Sequence, residues 1–468
     1  MSDLLPRSTP AASGMSSRAI IALLDRIAAE SIELHSIMVV RQGHIIAEGW
    51  WAPYSAERPH LLYSLTKSFT SMAVGMVIVD GLLSLDDRVV DVLPEHVPAD
   101  VSEQGRRLTV HHLLSMTAGH AGDSLGEAWE LEPDDLVKGF LRVPFTEPEG
   151  TRHTYDNATT FILARMVERV TGRGLPEFLD ERLFTPMGIE SPEWDRVASG
   201  LAFGFHGLHL TTEAVAAFGE LLLRGGRWGD QQLVPREWVE LATRQQVETL
   251  PVDDEWATAD FLCGYGYQVW MSRHGYFGNG AFGQQCIVVP EHDLVIAVTS
   301  ALDERQPIPG IFWDHLLPGP VDPADDELLA ERLKQLSIAP VSGAPGRSAK
   351  ATVDASAADS ALPAGTAVVV EAVDGGWLLE LGAWPAIEVG HGEWRESSPL
   401  GRAVVASGAW QGETFVGKLY VIPTPHHVRL QLDAATGIAT ATWNGVPLTG
   451  PNLELLIQSP LMTRPDVA

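Results

Sequence analysis

Only two cysteines, Cys263 and Cys286, occur in 468 residues, so no disulfide framework underlies this fold and at most one bridge can form. Two buried thiols in a reducing compartment are the expectation. Basic residues are equally scarce: 32 Lys and Arg face 61 Asp and Glu, only 5 of the 32 are Lys, and the net charge is −29. A chain this acidic repels phosphate backbones and anionic headgroups, which argues against a nucleic-acid or membrane-surface partner. Long apolar runs are missing as well. Ala19–Leu24 stops at Asp25, too short for a secretory h-region, and Met72–Val79 stops at Asp80, well short of a bilayer span. A soluble, cytoplasmic protein is the expectation.

What the chain does have is apolar bulk. Hydrophobic residues make up 45% of it, with 14 Trp and 14 Phe, and the length points to two or three domains. Residues 17–30 carry Ile20, Leu23, Leu24 and Ile27 at helical spacing. The stretches 36–41 and 44–51 read as two short strands turning at Gln42-Gly43, and Ser64 to Asp80 as a helix that Gly81 ends. From Leu85 to about Val197 the pattern is mostly helical, a lobe of roughly 85–200. Strand-like runs return at 265–271, 285–290 and 294–300, which pair most simply with the first hairpin in an antiparallel sheet. A helix over 325–336 closes a first domain of residues 1–338. Residues 339–366 are rich in Ala, Ser, Gly and Pro, a linker composition, and 367–468 alternates as a small all-β domain, barrel or sandwich. The fold class expected is thus α/β, or α+β, with an antiparallel sheet flanked by helices.

The chemical signal is Ser64-Leu65-Thr66-Lys67. Residues three apart on a helix share a face, which sets an amine beside a hydroxyl that is a poor nucleophile without a base. With 28 Ser and 5 Lys, about 0.3 such matches arise by chance, so spacing alone is weak evidence. The surrounding LLYSLTKSFTSMAVGMVIV is apolar, however, so Lys67 is a buried amine whose charge burial disfavours. The second element is Tyr155-Asp156-Asn157, the one Y-x-N of the sequence. A phenol near an ammonium sheds its proton more easily and can serve as acid or base, whereas Asn157, opening an amphipathic helix, is equally well placed as an N-cap.

S-x-x-K followed by Y-x-N about ninety residues on resembles the serine β-lactamase/penicillin-binding-protein superfamily, with the order and spacing of its class C branch. That branch includes esterases, D-amino-acid peptidases and 6-aminohexanoate-oligomer hydrolases. The resemblance runs from about residue 8 to 305 and takes in LTVHHLLSMTAGH, P-E-G-T before Tyr155, GLHLTTEAVAAFGELLL, LVPREWVE and FGQQCIVVPEHDLVIAVTS. It implies a β-lactamase-like sheet with a mainly helical lobe and a serine hydrolase without metal or organic cofactor. Ser64 would be the acylated nucleophile, Lys67 its base, Tyr155 the proton relay, and Asn157 a hydrogen-bond partner of Lys67 or substrate. The third motif, K-T-G or H-x-G, falls on Gly278-Asn279-Gly280-Ala281, where the cation is missing. Gly280 would keep room for substrate, Asn279 would stand in as a donor, and the N–H of Ala281 would join that of Ser64 in an oxyanion hole. Loss of the cation removes a charge-assisted contact to a substrate carboxylate. A small-molecule ester or linear amide substrate therefore fits better than a β-lactam or a D-amino-acid peptide.

Other motifs compete. Gly122-Asp123-Ser124-Leu125-Gly126 spells G-x-S-x-G, but a nucleophile elbow needs a strand before it, and a polar loop precedes it here. Asp123 and Trp129 are candidates for the pocket wall through the same resemblance. His111-His112, His206 with His209, and His426-His427 lack metal-binding spacing, and His153 reads as loop packing. A non-catalytic binding module of the same fold is the reading from another class, against which stand the retained Ser64, Lys67 and Tyr155. Partner binding, assembly of a homodimer or covering of the cleft are the roles open to the β-rich domain.

Overall fold

The computed structural model describes residues 3–197, 200–249, 259–302, 308–317, 325–354, 359–458 and 462–463. The chain divides into two bodies, one built from the residues up to Gly49 and from Leu62–Lys334, the other from Trp50–Leu61 and Gln335–Thr463.

In the first body, β1 (Leu34–Arg41) and β2 (His44–Trp50) form a hairpin. Gln42 and Gly43 both take positive φ, 51° and 75°, the backbone that a tight two-residue turn requires. With β3 (Trp270–Ser272), β4 (Gly275–Gly280), β5 (Gln284–Val289) and β6 (Leu294–Ser300) they build a six-stranded sheet in the order β2-β1-β6-β5-β4-β3. Pairing is antiparallel, with Val39 opposite Ile296, Cys286 opposite Ala297 and Phe277 opposite Ile287. Strands β5 and β6 are buried at every position, which is why they read as unbroken apolar runs rather than alternating ones.

Helix α1 (Ser17–Ala29), capped by the Ser16 hydroxyl, turns Ile20, Leu23, Leu24 and Ile27 inward. Helix α2 (Thr66–Val79) is buried continuously from Thr66 to Val77, as its lack of a polar face demands. Gly81, at φ 73°, follows its end. Helices α3 (Asn157–Thr171) and α4 (Thr212–Leu223) are the other long ones that frame it. The stretch 85–197 otherwise holds short helices, among them Val110–Leu114, Leu125–Leu131 and Leu136–Arg142. The closing helix spans Asp326–Lys334.

The expected strand 265–271 is mostly a loop, and only its end enters β3. Gly264 and Gln268 sit at φ 103° and 60°, which breaks extended backbone. Gln268 is held in that conformation by its own side chain, which donates to the Leu113 and Leu114 carbonyls at 3.2 and 2.9 Å and accepts from the Thr160 hydroxyl at 2.5 Å.

The second body is a β-barrel. Strands β7 (Ala349–Val353), β8 (Ala367–Val373), β9 (Gly376–Leu381), β10 (Ile387–Gly390), β11 (Arg395–Ser397), β12 (Val404–Gln411), β13 (Thr414–Val421), β14 (His427–Asp433) and β15 (Ile438–Trp443) lie in the order β10-β9-β8-β7-β15-β14-β13-β12-β11. Pairing of Gly390 with Ser407 joins β10 to β12 and closes the ring. Its interior is filled by Val368, Val370, Trp377, Leu379, Phe415, Leu430 and their neighbours.

The linker expected at 339–366 is corrected: β7 lies inside it, with Ala351 and Val353 turned inward and Ala361 and Leu362 buried. Small residues at inward positions pass for linker composition, yet a barrel wall accepts them readily. Residues 355–358 of that stretch lie outside the described residues. The body also takes in 50–61, which the sequence assigned to the first domain. Ile338 N–H donates to the Ala52 carbonyl at 2.7 Å, the Tyr54 hydroxyl to the Thr424 carbonyl at 3.1 Å, and Leu61 N–H to the Pro423 carbonyl at 2.7 Å.

Candidate active site

Ser64 lies in a single 3-10 turn, Tyr63–Leu65, that runs straight into α2. Its N–H is therefore among the donors that a helix start leaves without a partner from the helix itself. Tyr63 stands at φ 49°, a left-handed conformation costly for an aromatic residue, and its ring packs on His206 and Phe282.

One turn on, Lys67 is 1% exposed. Its Nζ is 2.9 Å from Ser64 Oγ, 2.6 Å from Asn157 Oδ1 and 3.2 Å from the Phe205 carbonyl. Burial disfavours the ammonium and pulls Lys67 down to about 7, although Asp123 and Asp156 act in the opposite direction.

Tyr155 hydrogen-bonds Ser64 through its hydroxyl, and its ring centroid lies 4.8 Å from Lys67 Nζ. Trp270 stacks on its other side, centroids 5.7 Å apart and planes 15° apart. Burial, with Asp123 adding to it, raises the Tyr155 phenol against the hydrogen bond from Ser64, the reverse of the lowering expected beside an ammonium. The helix cap is also corrected. Asp156, not Asn157, caps α3 by accepting from Ala158 N–H at 2.9 Å. Asn157 is the first helical residue, which frees its side chain to face Lys67.

The third segment ends β4 beside α2. A Cβ on Gly280 would stand 2.0 Å from the Leu62 carbonyl oxygen, and one on Gly278 would stand 2.3 Å from Leu65 Cδ1. Gly280 therefore makes room for the chain leading into Ser64. Asn279 Oδ1 accepts from Gln285 Nε2 at 2.9 Å, and Ala281 opens the turn Ala281–Gly283. Ser64, Lys67, Tyr155 and Asn157 are joined by direct contacts; Asn279, Gly280 and Ala281 are placed by the approach of Gly280 to Leu62.

The competing motifs resolve into structural roles. Ser124 is buried, and its hydroxyl donates to Asp156 Oδ2 at 2.8 Å, a bond that holds the capping carboxylate. His153 packs between Tyr265 and Trp270, centroids 4.7 and 5.5 Å away, and burial lowers it to about 4, leaving it neutral. Among the described residues no cluster of three His, Cys, Asp or Glu side chains is placed to hold a metal, and no described helix is long and apolar enough to cross a membrane. Sequence reasoning missed the Phe205 carbonyl and Gln268. A backbone acceptor leaves no mark in a sequence, and Gln268 meets its partners more than a hundred residues away.

A family model, Beta-lactamase, matches residues 23–309, more than half of the chain. The chain belongs to the beta-lactamase family. It is accordingly a serine hydrolase by family. Penicillin-binding protein 4 of Amycolatopsis lactamdurans is 30% identical over 273 residues, covering 50% of this chain and 70% of the relative. The 6-aminohexanoate-dimer hydrolase of Paenarthrobacter ureafaciens is 25% identical over 284 residues, covering 57% and 72%. Among solved structures, a penicillin-binding-protein homologue from Caulobacter crescentus superposes with a TM-score of 0.50 at 16% identity, covering 68% of this chain and 97% of that one. That likeness concerns the fold.

Proposed function

We propose that this family member cleaves a small ester or linear amide through an acyl-enzyme on Ser64, in the manner of the class C branch. The observation that carries the proposal is a buried amine, pulled down to about 7, at 2.9 Å from the Ser64 hydroxyl. Neutral Lys67 takes the Ser64 proton as Oγ attacks the substrate carbonyl, and the oxyanion is received by the N–H groups of Ser64 and Ala281. The neutral Tyr155 phenol passes its proton to the departing alcohol or amine and regains one from the Lys67 ammonium. Water then attacks the ester on Ser64, giving up a proton through the same pair, and the acid leaves with Ser64 restored. Asn157 holds Lys67 throughout.

Asn279 supplies no cation where the family's third motif has one, which favours an uncharged ester or amide over a substrate with a carboxylate beside the scissile bond. Cleavage of a β-lactam or a D-amino-acid peptide is the second reading, favoured by the likeness to penicillin-binding protein 4. Nitrocefin turnover rivalling that of p-nitrophenyl acetate would select it. The mechanism itself is tested by intact mass after fluorophosphonate treatment. One adduct on wild type and none on Ser64→Ala is expected; an equal adduct on both places the reactive group elsewhere.

A further inference from the structure

We propose that Asp123 is a positioning residue for this reaction: its carboxylate clamps Asn157 so that the amide oxygen, and not the amide nitrogen, is presented to Lys67. The inference rests on the reading of Ser64 and Lys67 given above and extends it to a loop residue outside the three motifs. Asp123 Oδ1 accepts from the backbone N–H of Asn157 at 3.0 Å and from that of Leu125 at 3.2 Å. Its Oδ2 accepts from Asn157 Nδ2 at 2.5 Å.

Desolvation and the nearby Asp156 push the Asp123 carboxyl above its usual range, while the bonds from Asn157 and Leu125 oppose that; in its ionised form it has no proton to donate, so the Asn157 nitrogen must face it, and the oxygen is left for Lys67 Nζ at 2.6 Å. A flipped amide would oppose oxygen to carboxylate on one side and N–H to ammonium on the other. Among the described residues no arginine or lysine forms an ion pair with Asp123, so a surface salt bridge does not account for its placement. Asp123 is exposed, while its two oxygens are taken up by Asn157 and the Leu125 N–H.

The clamp also places a negative charge near the amine. The titratable groups facing Lys67 are Asp123 from this loop, Asp156 at the start of α3, and the Tyr155 phenol. Asp156 is already committed to His120, Ser124 and the Ala158 N–H, at 3.2, 2.8 and 2.9 Å. Asp123 favours the ammonium. Removing its charge therefore lets Lys67 lose its proton at lower pH.

The test is the second-order rate of fluorophosphonate inactivation of the full chain between pH 5 and 9, with melting curves confirming folding. Asp123→Asn keeps an acceptor for Asn157, so its plateau is expected to fall only a few-fold while its acid limb moves down by about half a pH unit or more. Asp123→Ala frees the amide to turn, and its plateau is expected to fall roughly tenfold or more. Unchanged limb and plateau in both variants, with KM for p-nitrophenyl acetate raised instead, would overturn the inference and make Asp123 a substrate contact. A wild type that is not labelled at Ser64 overturns the underlying reading, and this inference with it. A labelled wild type with unmoved variants overturns this inference alone.

Discussion

The two bodies of this chain bury ionisable groups to different extents. The barrel body packs one large apolar cluster, from Val368 and Trp377 to Leu430 and Ile457, and buries His60, Arg402 and His426 outside that cluster. The first body buries Lys67, Asp156, Arg165, Asp195, His209 and Asp260 among its hydrophobic residues. Apolar packing alone gives a stable, unique interior, so buried ionisable groups are costly and call for a reason. Arg165, with the Ala202 carbonyl, and Asp260, with Arg273 and Trp313, have partners that satisfy them structurally. Lys67 is different: among the described residues no carboxylate pairs with it directly, and its hydrogen-bond partners are a hydroxyl, an amide oxygen and a carbonyl. A stability requirement does not explain such an amine. A proton-transfer requirement does.

The largest expected contrast is in Ser64 chemistry. Ser64→Ala should abolish turnover and Lys67→Ala should nearly do so, as measured with p-nitrophenyl esters; full activity in either variant breaks the comparison at once. Tyr155→Phe should lower kcat/KM by roughly 10²–10⁴, the range for a positioned acid or base. A much smaller loss would make its stacking on Trp270 the main role of Tyr155. Trp377→Ala in the barrel should cost about 3–5 kcal/mol of stability, as for large aromatic side chains lost from a core. The fluorophosphonate labelling rate of the protein that remains folded should stay unchanged, since Trp377 belongs to the barrel's own core cluster.

The last contrast is thermodynamic. Lys67 titrates near 10.5 when exposed and at about 7 in the fold, so between those values the unfolded chain holds a proton that the folded chain has lost. Stability must then rise with pH across that window and level off below it. Lys67→Met removes this dependence. Wild type should gain on Lys67→Met in denaturant midpoint as pH is raised from 7 toward 10, and parallel curves would mean that Lys67 is charged in the fold.

The sequence spoke most clearly where structure is local. The β1–β2 hairpin follows from Gln42-Gly43 between apolar runs, and the pairing of Ser64 with Lys67 follows from helical spacing in an apolar setting. It was mute where partners are distant or where composition averages over a pattern. Strand β7 was hidden by the small residues around Ala351 and Val353. The run 265–271 reads as strand from sequence, because the positive φ at Gln268 that turns most of it into a loop is held by distant contacts with Leu113, Leu114 and Thr160. From sequence Asn157 stands equally as a helix cap or as a partner of Lys67, and the choice turns on Asp156 taking the cap. Asp123 drew notice within a false motif and as pocket lining, while its bonds to Asn157 depend on two segments 34 residues apart.

The most direct test is the pH dependence of wild-type Ser64 labelling by a fluorophosphonate. The rate should be half-maximal near pH 7, where burial places the Lys67 amine, and should fall as the pH is lowered. A folded protein that is never labelled, or one whose labelling rises only toward pH 10, would show that Lys67 does not activate Ser64.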